Sequence, residues 1–551
     1  MEELLNMKNR FVKRVLAALC CATMVAGLLS GCGQKKSTQV DNSIEDTKNL
    51  KIMIYPKGYS SEWLYAIAEA FEEKYDVNVD ITMVMSGTTT SEERKNPNSD
   101  IDLFFDINTN PHSLVSNLKN AYNGEQLLRN FTEVANTEIP GEGITLKEKL
   151  NDSLLQVFQT GGYLTEDESD DNFYCLPYMS APMGLYYNET VIDNALGKGK
   201  WEIPNTTDEL IELCQRLKAK DCHILLASTL DAWTISMFES WWAQYEGYEN
   251  YMKFHYGIGY NKQKNREEEN SSLIFEQPGR LESLKATYDL LAYDNGFILP
   301  NTAEITELNL NEYQTKFTLA KNKLAFYPCG DWLLSELANR SVAESDSVIK
   351  MMKTPVISSI IESTDSYSSS DAKRLPNITS DEMLSQVVAY VDGVGELPAG
   401  VTEEEVAIVK EARSMLGTRA DIHVIYAPTF SNAKKLADQF LLFLASDEAI
   451  QILKDECIGG YAPYEYEYTN LTGTAQSVYE VSKNATYVAN YKFVPLFYTA
   501  GASGETTSTQ NATIDGVFAR PNSITAEELH NLILKTYTGE TWQNMLKKLE
   551  Q

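Results

Sequence analysis

Hydrophobic and polar positions divide the chain into segments of distinct character. A basic cluster, Lys8, Arg10, Lys13 and Arg14, precedes an apolar run from Val15 to Leu29 that stops at Ser30-Gly31-Cys32. That run is shorter than the roughly 20 residues a membrane-spanning helix needs. Residues 33–48 are almost wholly polar, cannot bury a core, and predict a flexible tether. Regular structure begins at Leu50. The short apolar run Leu50–Tyr55 predicts a buried strand, broken by Pro56 to Ser61. Leu64, Ile67, Ala68, Phe71 and Tyr75 then recur at helical spacing, with Ser60 or Ser61 as candidate cap and Asp76 as stop. Val77, Val79, Ile81, Met83 and Met85 alternate as a strand does, and Ile101–Phe105 predicts a further strand ended sharply by Asp106-Ile107-Asn108-Thr109-Asn110-Pro111. Strand, helix, strand, loop, strand is the opening of an α/β domain with a parallel sheet. Ligands of such sheets bind beyond the carboxyl ends of the strands, here Tyr55–Ser61 and Asp106–Asn110.

Farther along, Tyr174–Tyr178 and Gly184–Asn188 predict strands around a turn. Thr206-Thr207-Asp208-Glu209 and Thr525-Ala526-Glu527-Glu528 are T-x-x-E capping boxes that open helices. The stretch Ala232–Tyr251 is rich in aromatics; Trp241 and Trp242 sit in a helical stripe and predict core packing. Asn261–Ser272 is a charged loop. Leu281–Tyr293, Leu384–Val391 and Glu403–Leu416 predict helices. Leu324–Tyr327 predicts a strand that leads into Pro328-Cys329-Gly330-Asp331-Trp332, and Ile422–Tyr426 predicts another. Ser431 or Asn432 caps a helix that buries Leu436, Phe440, Phe443 and Leu444, and Ser446 caps the next. Tyr461–Tyr468 is a tyrosine-rich loop, and Thr499–Ala512 a small, polar one.

Charge narrows the range of partners. The chain carries −31; residues 1–31 contribute +2, so the remainder carries −33. Such an acidic body is repelled by nucleic acid and by anionic lipid surfaces. Beyond Cys20, Cys21 and Cys32, the cysteines are Cys175, Cys214, Cys222, Cys329 and Cys457, an odd, scattered set with no CxxC pair. That is neither a disulfide framework nor a zinc site, although a Cys214–Cys222 bridge is open on spacing. The five histidines are isolated, and no HExxH, GxSxG or P-loop pattern occurs. No metal or cofactor is expected.

Basic head, short apolar middle and small residues at the exit describe a secretory signal, starting at Met1 or Met7. Leu29-Ser30-Gly31-Cys32 resembles the lipobox of bacterial lipoproteins, in which the chain is cut before the cysteine and its sulfur receives a diacylglycerol. Three further stretches, in order, resemble the extracellular solute-binding proteins of the carbohydrate-binding, maltose-binding-protein type. Gly184-Leu185-Tyr186-Tyr187-Asn188 followed by Pro204-Asn205-Thr206-Thr207-Asp208-Glu209 is similar to the family's "LYYN" strand and "P-T-T-W-D-E" helix start, without the tryptophan. Phe317–Trp332 is similar to "F..GKAAM...G.W", and Ser431–Gln451 to "S.NK..A..FL.FL.S.E".

The resemblance implies a two-lobed, periplasmic-binding-protein-like α/β fold with a hinge and an interlobe ligand cleft. Expected segments are a signal at 1–31, a tether at 32–49, a first lobe from 50–108 plus 422–470, and a second from 109–359 plus 471–551, with 360–421 unassigned. It implies a lipid-anchored, monomeric, non-catalytic protein outside the cytoplasmic membrane that hands a mono- or oligosaccharide to the permease of an ABC importer. A peptide or other non-sugar solute would leave the same fold with a different cleft. A lipid-anchored glycoside hydrolase would need a carboxyl pair about 5–10 Å apart, which no motif suggests. Sugar recognition needs aromatic platforms for C–H faces and planar polar groups for hydroxyls. The family motif points to Trp332 as platform, with Asp331 beside it as a hydroxyl acceptor or as cap of the following helix. Asp106 and Asn108 at a strand end, Trp233, and Tyr59, Ser61 and Trp63 at the first strand–helix turn complete the candidates. For Asp106 a structural role, and for Trp63 a core role, stands equally open. The loop Ser180-Ala181-Pro182-Met183 lacks the carboxylate that the maltodextrin branch carries before its "YYN" strand.

Overall fold

The computed structural model describes residues 47–549 apart from 57, 97, 108–126, 161–171, 227–230, 306–308, 339–345, 490–517 and 538. The expected signal, Cys32, most of the tether and the Thr499–Ala512 loop lie outside the described residues. The described residues all belong to one compact unit, Ile44–Gln551. Two sheets are built from strands β1 (Asn49–Ile54), β2 (Asn78–Met83), β3 (Leu103–Asp106), β4 (Leu176–Pro177), β5 (Pro182–Asn188), β6 (His223–Ile224), β7 (Leu324–Gly330), β8 (Ile349–Met352), β9 (Met415–Thr418), β10 (Val424–Tyr426) and β11 (Thr486–Ala489).

The first sheet has the order β2-β1-β3-β10-β4. Its first three strands are parallel, with Ile52 opposite Ile81 on one side and Leu103 on the other. β10 and β4 join antiparallel, so the sheet is mixed where the opening pattern predicts a parallel one. The second sheet runs β11-β9-β5-β7-β6, with β8 also alongside β5. All seven residues of β5 are buried, as expected of a strand covered on both faces. β4, from within 109–359, completes the first sheet, and β9, from within 360–421, lies in the second.

The helix Glu62–Tyr75 covers the first sheet with Trp63, Leu64, Ile67, Ala68 and Phe71, and stops at Asp76 in the left-handed region (φ +53°). Phe71 meets Phe440 edge to face at 5.1 Å and Phe443 at 5.5 Å. Burying one such ring contributes about 1.5–3 kcal/mol.

Three local expectations change. The helix Lys434–Leu444 begins after Ala433 with no side-chain cap. Ser431 instead donates to Asp102 at 2.7 Å, and Asp102 also accepts from the Ala433 amide at 3.2 Å and the Lys51 amide at 2.9 Å. A carboxylate distant in sequence has taken the serine. Thr206 accepts from the Glu209 amide, but Glu209 bonds to the Asn205 amide and Ser385 Oγ, so this box is half formed; Thr402–Glu405 and Thr525–Glu528 form both halves. The charged loop Asn261–Ser272 contains one strand of a hairpin, Gly259–Asn261 with Arg266–Glu268, turned by Asn265 at φ +52°. Cys175, Cys214, Cys222, Cys329 and Cys457 are all buried free thiols, so the Cys214–Cys222 bridge is not formed.

The chain passes between the sheets side by side with itself. Residues 178–181 link β4 to β5, and 419–423 link β9 to β10. The Tyr178 amide donates to His423 O at 3.1 Å, and the Arg419 amide to Ala181 O at 3.0 Å. A third passage leads from the helix Asp447–Glu456, whose neighbour is Glu62–Tyr75, to the helix Gly473–Ser482 against β8. Tyr461 O on this passage accepts from the Ser180 amide at 2.9 Å, so three crossing segments form one hydrogen-bonded band.

Candidate functional site: the aromatic junction between the sheets

The candidate site sits against this band. Tyr59 follows β1 of the first sheet; Asp331 and Trp332 follow β7 of the second. The Tyr59 hydroxyl donates to Asp331, joining positions 272 residues apart. His423, on a crossing segment, lies among three rings: Tyr59 at 5.2 Å, Tyr178 at 5.6 Å and Trp332 at 6.3 Å. Its Nδ1 is 2.8 Å from Arg419 O, which orients the imidazole. Asp331 is 0% and Trp332 9% exposed, so the junction is closed down on its own side chains.

Backbone shape makes the seat for Trp332. A Cβ at Gly330 would lie 2.1 Å from an indole carbon, and one at Gly58 would touch the Trp332 Cβ at 3.4 Å. Gly58 has φ +88°, which glycine adopts without steric cost.

Burial dominates the electrostatics. It pushes the Asp331 carboxyl well above the usual carboxylate range, against hydrogen bonding that favours the charged form. The amides of Asp331, Trp332 and Tyr461 lie close to this carboxyl, yet Oδ2 receives no hydrogen bond of good geometry among the described residues. Burial, with Asp331 second, raises the Tyr59 hydroxyl. Burial pushes His423 down to about 4. The site therefore offers a neutral imidazole, a carboxyl with a free acceptor position, and an indole.

The other candidates separate. Asp106, 1% exposed, accepts from Tyr426 Oη (3.0 Å), Thr90 Oγ1 (3.1 Å), the Ile107 amide (2.9 Å) and Arg94 Nη1 (3.3 Å). Its acceptor positions are taken up by Tyr426 of β10, by the adjoining Ile107 amide, and by Thr90 and Arg94 in and just after the helix Gly87–Glu93, which favours the structural reading. Trp63 is 1% exposed and stacks on Tyr178 at 5.9 Å, beneath the junction and not facing a cleft. Ser61 precedes the helix Glu62–Tyr75 without capping it, its Oγ 3.6 Å from Met83 Sδ. Trp233 belongs to the helix Asp231–Glu246, and Asn108 lies outside the described residues, as does the Trp233 side chain. Trp241 and Trp242 are core, donating to Pro355 O (3.1 Å) and Gln277 Oε1 (2.8 Å). His423 and Tyr178 escape sequence reasoning, since one ring at the edge of an apolar strand carries no periodic signal. Among the described residues no three His, Cys, Asp or Glu side chains gather as a metal site.

Two mixed sheets joined by a triple crossing, with a carboxyl and aromatics meeting between them, make a two-lobed α/β fold. Residues 57–300 match the family model described as bacterial extracellular solute-binding protein. The fold is similar to that of a protein from a study of xylan utilization by Caldanaerobius polysaccharolyticus, with TM-score 0.56 and 13% identity over 89% of this chain and 100% of that one. AcbH, a solute receptor described as preferring β-D-galactopyranose, aligns with TM-score 0.54 and 12% identity over 91% and 99% of the two chains. RafE in complex with raffinose aligns with TM-score 0.52 and 13% identity over 89% and 100%. No curated protein matches the chain.

Proposed function

We propose that this protein captures a mono- or oligosaccharide between its lobes and delivers it to the permease of an ABC importer, held outside the membrane by a lipid on Cys32. In this reading the first lobe comprises 50–108 plus 422–470 and the second 109–359 plus 471–551, with β4 reaching from the second segment into the first sheet. The observation that carries it is the Tyr59–Asp331–Trp332 assembly, to which both sheets contribute. An indole presents a face to sugar C–H groups, and the free Asp331 Oδ2 accepts a hydroxyl. Opening the junction would exchange the Tyr59–Asp331 and Trp332–His423 contacts for contacts with ligand, so a solute of matching shape drives the exchange. The sugar-binding proteins of similar fold support the ligand class.

A thermal-shift screen over mono- and oligosaccharides tests this directly. At least one sugar should raise the melting temperature, because a ligand that binds the native state stabilises it. Trp332→Ala should weaken binding of that sugar by more than tenfold, a loss of about 1.4 kcal/mol or more, in a protein that still folds. Shifts by peptides alone would replace the sugar assignment with a peptide one.

A further inference from the structure

A second concave site lies on the third crossing. It is a pocket of about 620 Å³, within the range that holds drug-sized ligands. Its wall is built of tyrosines fixed by their own bonding: Tyr461 Oη donates to Ala475 O at 2.6 Å, Tyr468 Oη accepts from the Ala462 amide at 2.8 Å, and Tyr461 and Tyr479 lie nearly parallel at 12°. Tyr464, 5% exposed, also lines it, and its hydroxyl has no hydrogen-bond partner among the described residues. Glu465, Glu467, Lys483 and Asn484 stand exposed on the lining.

We propose that this pocket is a second binding site, for a neutral pyranoside. Rigid aromatic faces suit the apolar face of a sugar ring. The polar groups on the lining are of both kinds: carboxylates that only accept, an ammonium (Lys483, 5.7 Å over the Tyr479 ring) that only donates, an amide and a phenol that do both. A polyol uses all of them. An anion would meet Glu465, Glu467 and also Asp447, which lines the same pocket and pairs with Lys149 at 2.6 Å. A small cation would leave most of the volume empty. Tyr461 separates the two sites: its amide lies close to the Asp331 carboxyl, and its side chain lines the pocket. The site is thus distinct from the interlobe junction, and the proposal stands independently of what that junction binds.

The test is saturation-transfer NMR and titration of the purified full chain with the methyl glycosides of D-glucose, D-galactose and D-xylose. At least one should bind saturably, with transfer from tyrosine ring protons. Tyr464→Phe, which removes one hydroxyl and keeps the packing, should weaken that binding threefold to tenfold with an unchanged melting curve, and Tyr464→Ala should weaken it more. Binding should persist in Trp332→Ala. Absence of saturable binding, binding indifferent to Tyr464→Phe, or binding lost with Trp332→Ala would each overturn the proposal. Loss of interlobe binding alone in Trp332→Ala leaves the pocket standing.

Discussion

His423 shows how a single side chain ties the junction to pH. Burial holds its folded pKa at about 4, against an ordinary value of 6.5. As pH falls from 6.5 towards 4, the unfolded chain takes up a proton that the folded chain refuses. Stability contributed by this residue is therefore present above the window, is lost across it by about 3 kcal/mol, and falls no further below it. Urea unfolding at pH 7 and near pH 4 should show a wild-type loss about 3 kcal/mol greater than that of His423→Asn, the other histidines being common to both. Equal losses would mean that the imidazole is protonated in the folded chain. The partners of His423 were legible in part: the resemblance of Phe317–Trp332 to the family motif points to Trp332, with Asp331 beside it. His423 itself, and Tyr178 beside it, acquire their roles only when two crossing segments meet, a contact no local pattern encodes.

Elements were legible where neighbours in sequence decide them. The helix Glu62–Tyr75 follows its apolar stripe, and Ser446 and Thr525 cap as their spacing predicts. Ser431 does not, because Asp102, 329 residues away, competes for it. The β7–turn–helix element carries the sharpest geometric constraint. Adding a methyl at Gly330 would place it 2.1 Å from the Trp332 ring, so Gly330→Ala must move the indole. Such overpacking costs about 1–3 kcal/mol. We expect Gly330→Ala to melt lower, to change the near-ultraviolet signature of tryptophan, and to weaken binding of the proposed sugar as is expected of Trp332→Ala. An unchanged affinity would detach the indole's position from recognition.

At the scale of the molecule, chain order announced the parallel half of the first sheet but not its antiparallel half. β10 and β4 are short, and their partners lie far away in sequence, as with Tyr426 and Asp106, 320 residues apart. A body of charge −33 is repelled by anionic lipid, so in the proposed function membrane attachment would fall to the lipid on Cys32. Cys32→Ser should leave the precursor uncut; normal processing would remove the lipid anchor from the proposed function. The triple crossing sets the mechanics of the whole. Three segments bonded edge to edge resist shear and twist within their own plane, because either motion would break several backbone hydrogen bonds at once. Bending across the band breaks none of them. The two bodies thus possess one compliant direction, like leaves on a strip of cloth, and in the proposed function a solute acting through Trp332 and Asp331 would supply torque along it.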